Sequence, residues 1–406
     1  MKIWCLLRDQ LAHIKPIEEA MASEAEFIHD SEWDPSPMVR EKPNLVLCIN
    51  DYPLDILRCL DAARGDGIPS LVLQDGILEW RCQYENPLFG AGGGAPQHQP
   101  VMADKIACIG HESLRRIAGW GNDARVELTG MPRLDYLCSR ASEPTEKPGR
   151  RLLVMTAKNP GFNARQRETT LRSLRELKAH LDTLSHIQTL WRLSRGVATE
   201  LGVANQLDQI ASAELVGVVE NVDAVISTPS TAMLEAMLLG RPVAALDYHN
   251  VPTFVRTAWV ISAPEHIRTV IPELLDPPPA KIAFQQESLA DNLVCDGSSV
   301  QRVCALIRKM VAFAASSNLK QCRMPSDLLG TQSSYTFFPQ KRLNQLYAGQ
   351  SVFEELDPEK LQIRLARAEN ENTRLRADNA ELKKRVQLGS WVKSGVRKLA
   401  ATARGQ

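Results

Sequence analysis

The sequence predicts an α/β protein made of two doubly wound parallel sheets side by side, followed by a helical coiled coil. Three observations predict it. Short, nearly all-apolar runs alternate with amphipathic helical stretches from residue 1 to about residue 314. A stretch rich in Ser, Pro, Glu and Lys between Cys138 and Arg150 divides that alternation in two. From Leu361 the apolar spacing changes to sevens. The expected divisions are therefore 1–138, a linker 139–150, 151–314, an irregular tail 315–355, a coiled coil 356–388 and a basic tail 389–406.

In the first half, Lys2 to Leu7 reads as a strand, Gln10 to Met21 as its helix, and Glu26 to His29 as a second short strand. Asn44 to Asn50 has the composition of a strand buried on both faces, and it ends in Asn50, Asp51 and Tyr52. After a helix from Leu54 to Ala63, the strand Ser70 to Leu73 ends in Gln74, Asp75 and Gly76. Ligands of open α/β sheets bind at the carboxyl edge of the strands, so Asp51 and Asp75 are delivered to the place where chemistry is expected. Glu79 to Pro100 lacks helix or strand periodicity and holds Trp80, Arg81, Tyr84 and the run GAGGGAP. It reads either as an acceptor-side loop or as a plain excursion. Strands at Lys105 to Ile109 and Val126 to Thr129, with a helix from His111 between them, complete this half.

The second half opens with the strand Leu152 to Met155, ending near Lys158, then a long amphipathic helix from Ala164 and a strand from Gln188 to Leu193. Its centre is Asn221 to Asp247, a strand, turn, helix, strand unit. The turn offers Ser227, Thr228, Ser230 and Thr231 where a helix begins, and Glu235 follows one turn later. Hydroxyls and free backbone N–H groups at a helix start suit a phosphate, with Glu235 in reach of a ribose hydroxyl; the same residues also suit an ordinary N-cap on a core helix. Trp259 to Ser262 begins another βα unit, Ala280 to Asp291 is polar, and Ser299 to Ala314 is an amphipathic helix.

Behind these units, Leu361, Ala368, Leu375 and Leu382 share one heptad position and Leu365, Asn372, Asn379 and Val386 the other. Paired Asn at such positions favours a parallel homodimer over a solitary solvated helix. The basic end, with Lys393, Arg397, Lys398 and Arg404, reads as a frayed tail or as a contact with an anionic membrane.

The composition sets limits on function. With 406 residues, 44% of them hydrophobic, and no formal net charge, the chain can fill two cores but lacks the field that draws proteins to nucleic acid. Nine cysteines form no C-x-x-C pair and lie mostly in apolar runs, so buried thiols are expected rather than disulfides or zinc ligands. The opening MKIWCLLRDQ is too short in its apolar part for a signal peptide, and no later run reaches spanning length, so a cytoplasmic protein is expected.

TGMPRLDYL at the end of the first half and DAVISTPSTAMLEAMLLGRPVAALD in the second resemble glycosyltransferases of the two-Rossmann-domain (GT-B) fold. The resemblance is to enzymes of bacterial surface carbohydrate, capsule and lipopolysaccharide synthesis. Nucleotide-sugar 2-epimerases and teichoic acid glycerophosphotransferases share that architecture. It covers roughly residues 1–312. It implies an acceptor domain first and a nucleotide-sugar domain second, with Ser230 and Thr231 on the donor diphosphate, Glu235 on the ribose, and Lys158 facing the cleft. Gly130, Pro132 and Asp135 would shape the crossover between domains. The implied reaction moves a sugar from a nucleotide sugar to a glycan or glycolipid acceptor, the donor being a substrate and no cofactor being needed. The chain has no D-x-D pair, so metal-independent transfer is expected, with charge stabilised by the helix start and Lys158. Asp75 is the first candidate base, with Asp51 and Asp9 in reserve; Asp9, Gln74, Trp80 and Arg81 belong to the acceptor side. Two other readings stay open: a nucleotide-sugar 2-epimerase, for which none of the eight histidines stands in a recognisable motif, and a catalytically silent scaffold. A peripheral seat at the inner membrane fits the basic tail.

Overall fold

The computed structural model describes residues 1–8, 11–86, 96–138, 140, 150–157, 161–203, 214–331 and Thr373. The coiled-coil heptads other than Thr373, the basic tail, the glycine run at 90–95, Asp9 and Lys158 lie outside the described residues.

The first sheet has six parallel strands, β1 (Lys2–Leu6), β2 (Glu26–Asp30), β3 (Leu45–Cys48), β4 (Ser70–Leu73), β5 (Lys105–Cys108) and β6 (Val126–Leu128), in the order β2-β1-β3-β4-β5-β6. Its helices are α1 (Leu11–Met21), α2 (Pro35–Glu41), α3 (Leu54–Asp66), α4 (Trp80–Tyr84) and α5 (His111–Ile117). Every residue of β3, β4, β5 and β6 is buried, as two-sided helical cover demands. Helix α2 lacks a long apolar period; Asp34 Oδ1 accepting from Ser36 N at 2.9 Å, with Pro35 in the first turn, starts it.

A 3-10 turn, Pro132–Leu137, leads out of this sheet. The second sheet then forms from β7 (Arg150–Met155), β8 (Ile187–Arg192), β9 (Ala224–Ser227), β10 (Val243–Leu246) and β11 (Trp259–Ile261), in the order β11-β10-β9-β7-β8 and again all parallel. Its helices are α6 (Ala164–Leu181), α7 (Arg195–Glu200), α8 (Leu215–Val219), α9 (Ala232–Leu238), α10 (Pro264–Leu275) and α11 (Pro279–Asn292). The two-sheet α/β architecture is the expected one. In each sheet the strand order reverses once, between β1 and β3 and between β7 and β9. The crevices outside those carboxyl ends are where doubly wound sheets bind ligands.

Helix α12 (Ser299–Ser316) follows the second sheet in sequence but packs on the first, where Val303, Leu306, Ile307 and Met310 share a core with Ile3, Cys5, Leu45 and Leu47. The TGMPRLD motif after β6 packs against its start. Gly130 has φ +82°, and a Cβ there would strike the Ser299 hydroxyl and the Val294 carbonyl. Asp135 Oδ2 accepts from Val300 N at 2.8 Å at the start of α12. The chain beyond α12 does not leave the surface at once: Met324 is buried, and the Leu328 and Leu329 amides donate to the Glu127 carboxylate at 2.8 and 3.1 Å. Glu127 in turn pairs with Lys105 at 2.7 Å, both side chains fully buried.

One expectation is corrected. Cys138 and Cys295 form a disulfide, tying the end of the 3-10 turn to the segment between α11 and α12. Their separation of 157 residues leaves no trace in the spacing of cysteines, because the crossovers that bring them together are tertiary. The other described cysteines are free thiols, buried at 5, 48, 59, 108 and 304.

Candidate functional site

Asp51, three residues past β3, is buried and uses both carboxylate oxygens: Oδ1 meets His98 Nδ1 at 2.9 Å and Oδ2 accepts from Met102 N at 3.0 Å. Burial pushes this carboxyl up, but the His98 charge and the bonds from His98 and the Met102 and His98 amides outweigh it and hold the carboxyl below its ordinary value. An ionised Asp51 has only acceptors, so it fixes the proton on Nδ1 of His98. His98 itself is fully buried, and its Nε2 has no hydrogen-bond partner among the described residues. Its backbone lies at φ +60°, a left-handed conformation that costs energy for a residue with a side chain. Asn122 holds it there, donating from Nδ2 to the His98 carbonyl at 3.1 Å while its Oδ1 accepts from Val101 N at 2.9 Å.

Asp75, two residues past β4, stands half-buried at the same sheet edge. Burial raises its pKa, opposed by the charges of His98 and Arg133. Tyr52 beside them is pushed up to about 12 by burial and by Cys82, Asp75 and Asp51. Gln74 has a bracing position, donating to the Gly76 carbonyl at 2.7 Å and accepting from Ile109 N at 3.1 Å.

Across the seam stands the turn after β9. Ser227 and Thr228 are buried and used internally: Ser227 donates to the Thr228 carbonyl at 2.7 Å, and Thr228 accepts from Ala157 N at 2.9 Å, tying the ends of β9 and β7 at the point where the strand order reverses. Ser230 and Thr231 are half-buried. Thr231 Oγ1 accepts from Ile77 N at 3.1 Å, and a Cβ on Gly76 would run into that hydroxyl, so glycine permits the two sheets to meet here. Glu235 on α9 pairs with Arg133 of the 3-10 turn at 2.8 Å.

Trp80 packs on Tyr84 at 4.4 Å between ring centroids and edge-on to Phe254 at 6.3 Å. Arg81 is buried and pairs with Glu79. Leu78, Glu79, Trp80, Pro229, Asp247 and Phe254 line a cleft of about 370 Å³, its open mouth included, between the two sheets. Burial raises the carboxyls of Glu79 and Asp247. Among the described residues, no group of three or more His, Cys, Asp or Glu side chains is placed to hold a metal ion. Nor is any described helix long and apolar enough to cross a membrane.

The structure thus brings Asp75, Ser230, Thr231 and Glu235 to one seam, with Trp80 along its side, while Asp51 and Arg81 are buried, held by His98 and Glu79. Sequence reasoning gave Arg133 no role and left His13 and His98 among eight histidines without a motif. Arg133 was legible inside TGMPRLD, whereas His98 sits in an aperiodic loop that only folding brings to Asp51.

Two histidines give a pH prediction. His13 and His249 have pKa values lowered to about 4, chiefly by burial, with Arg133 acting on His13 and Arg81 on His249. Between that value and the ordinary 6.5 the unfolded chain binds more protons than the folded one. Their contribution to stability is complete above about 6.5 and is lost as the pH falls towards about 4. The denaturation midpoint is expected to drop less between pH 7 and pH 5 in a His13→Gln, His249→Gln double variant than in the parent. An equal drop would show that neither histidine is held neutral.

Comparison with solved structures decides the architecture. The chain superposes on the wall teichoic acid polymerase TagF, in a histidine variant soaked with CDPG, at a TM-score of 0.51 and 12% identity, over 77% of this chain and 88% of that one. It superposes on UDP-N-acetylglucosamine 2-epimerase from Rickettsia bellii at a TM-score of 0.51 and 10% identity, over 78% and 98%. The chain has the GT-B fold. At such identities the likeness is one of fold alone. No family model and no curated sequence matches the chain.

Proposed function

We propose that the protein is a glycosyltransferase that moves a sugar from a nucleotide sugar to a hydroxyl of a glycan or glycolipid acceptor, with Asp75 as base. The observation that carries this reading is the meeting of Gly76 and Ile77, the residues that follow Asp75, with Thr231, which brings the end of β4 and its carboxylate, with the buried Asp51–His98 pair on the same sheet, to a hydroxyl-rich turn at the second sheet's reversal point.

The roles follow from exposure. Half-buried Asp75 meets the acceptor hydroxyl and takes its proton as the hydroxyl oxygen attacks the anomeric carbon. The bond from that carbon to the nucleoside diphosphate breaks, and its electron pair stays on the phosphate oxygen. His98, too buried to touch an acceptor, is a positioning residue: held by Asp51, it works against the burial that raises the Asp75 carboxyl. Ser230 and Thr231 meet the diphosphate and Glu235 the ribose, while Ser227 and Thr228 brace their turn. Trp80 offers an aromatic wall on the acceptor side.

For a 2-epimerase reading, His13 on α1, which feels the charge of Arg133, is the candidate for a second acid–base group. The test is product analysis on a panel of uridine, cytidine, guanosine and thymidine diphosphate sugars, with cytidine monophosphate sugars, with and without glycan acceptors. Transfer that requires acceptor is expected. Interconversion of the free nucleotide sugar without acceptor would replace transfer by epimerisation, and binding of none would leave a scaffold.

A further inference from the structure

Of the two described groups assigned to the donor's charged and ribose parts, the turn after β9 supplies hydroxyls and amides but no positive charge. Departure of a nucleoside diphosphate concentrates negative charge on a phosphate oxygen, and neutral donors alone stabilise it weakly. Arg133 is placed to answer that need. It rises from the 3-10 turn on the first-sheet side, and one guanidinium nitrogen binds Glu235 Oε1 at 2.8 Å. Its Nε is buried and has no hydrogen-bond partner among the described residues. Its charge is felt at His13 on α1 and at Asp75 past β4, so it stands where α1, the β4 edge and α9 converge. The side chain is 21% exposed, so it is not sealed in the core.

We propose that Arg133 is a donor-binding residue that recognises the diphosphate, and that its ion pair with Glu235 fixes the spacing between phosphate and ribose recognition. The inference rests on the nucleotide-sugar reading above. Arg133 and Glu235 approach from opposite sheets, so a nucleoside diphosphate held by both spans the seam. A monophosphate that reaches Glu235 through its ribose has less charge to offer the guanidinium. The planar fork matters because a lysine supplies a point charge without the paired N–H groups.

The test is calorimetric titration of the full chain with UDP, CDP, GDP and TDP and with the matching monophosphates. The parent is expected to prefer one diphosphate over its monophosphate. Arg133→Gln is expected to shrink that preference by about 10–100-fold while changing monophosphate affinity little. Arg133→Lys should fall between the two, and it carries the test if the glutamine variant does not fold. An unchanged preference in either variant, or an equal loss for both nucleotides, overturns the inference and leaves Arg133 a structural tie. A parent that binds none of the four diphosphates overturns the underlying reading and this one with it.

Discussion

Asp75→Asn is expected to lower acceptor-dependent transfer by about 10²–10⁴-fold, the usual weight of a general base, with nucleotide affinity unchanged. The amide keeps the shape at the Gly76–Thr231 contact but cannot take a proton. His98→Gln provides the complementary result. Burial alone raises the Asp75 carboxyl, and the His98 charge works against it. Removing that charge raises the carboxyl further, so the acid limb of the pH–rate profile should move to higher pH. Asp51→Asn should move it the same way by loosening the grip on Nδ1. Full activity in Asp75→Asn would remove Asp75 as base. An unmoved acid limb in His98→Gln, with activity retained, would reduce His98 to a packing residue.

The second large effect is on stability. Lys105 and Glu127 form a fully buried ion pair between adjacent strands β5 and β6, and Glu127 also receives the Leu328 and Leu329 amides. Glu127→Ala leaves a buried ammonium without its counter-charge, held only by the Ala124 carbonyl at 3.0 Å, and two backbone donors unpaired, at a cost of about 3–5 kcal/mol. Replacing both partners by apolar residues, Lys105→Met with Glu127→Leu, should recover much of that loss, because an uncompensated charge costs more than the pair contributes. Urea denaturation of the parent, single and double variants measures it. A single variant within about 1 kcal/mol of the parent would mean that water or the chain beyond α12 replaces the lost partner.

How much of this was legible in the sequence depends on the range of the interaction. Strands such as Leu45–Cys48 and Val243–Leu246 are apolar on both faces, so composition alone placed them in parallel sheets. Asp51, Asp75 and the Ser227–Thr231 turn were visible because they end strands. Helix α11 was not: its buried face is polar, with Gln285 bridging the Arg241 carbonyl and the Val243 amide at 2.8 Å each, so apolar periodicity had nothing to register. The spacing within α12 shows which of its faces is buried but not which sheet covers it. His98 could not be told from the other histidines because its role depends on Asp51, 47 residues earlier, and on Asn122, 24 residues later. The disulfide is the same case over a longer span.

The central claim is that a nucleotide sugar lies between the Ser227–Thr231 turn and Asp75. Hydrogen exchange of the backbone amides, with and without the nucleotide sugar that yields product in the panel, tests it most directly. The account predicts slowed exchange at residues 228–234 and 75–78. Unchanged exchange there, with protection confined to another surface, would contradict it.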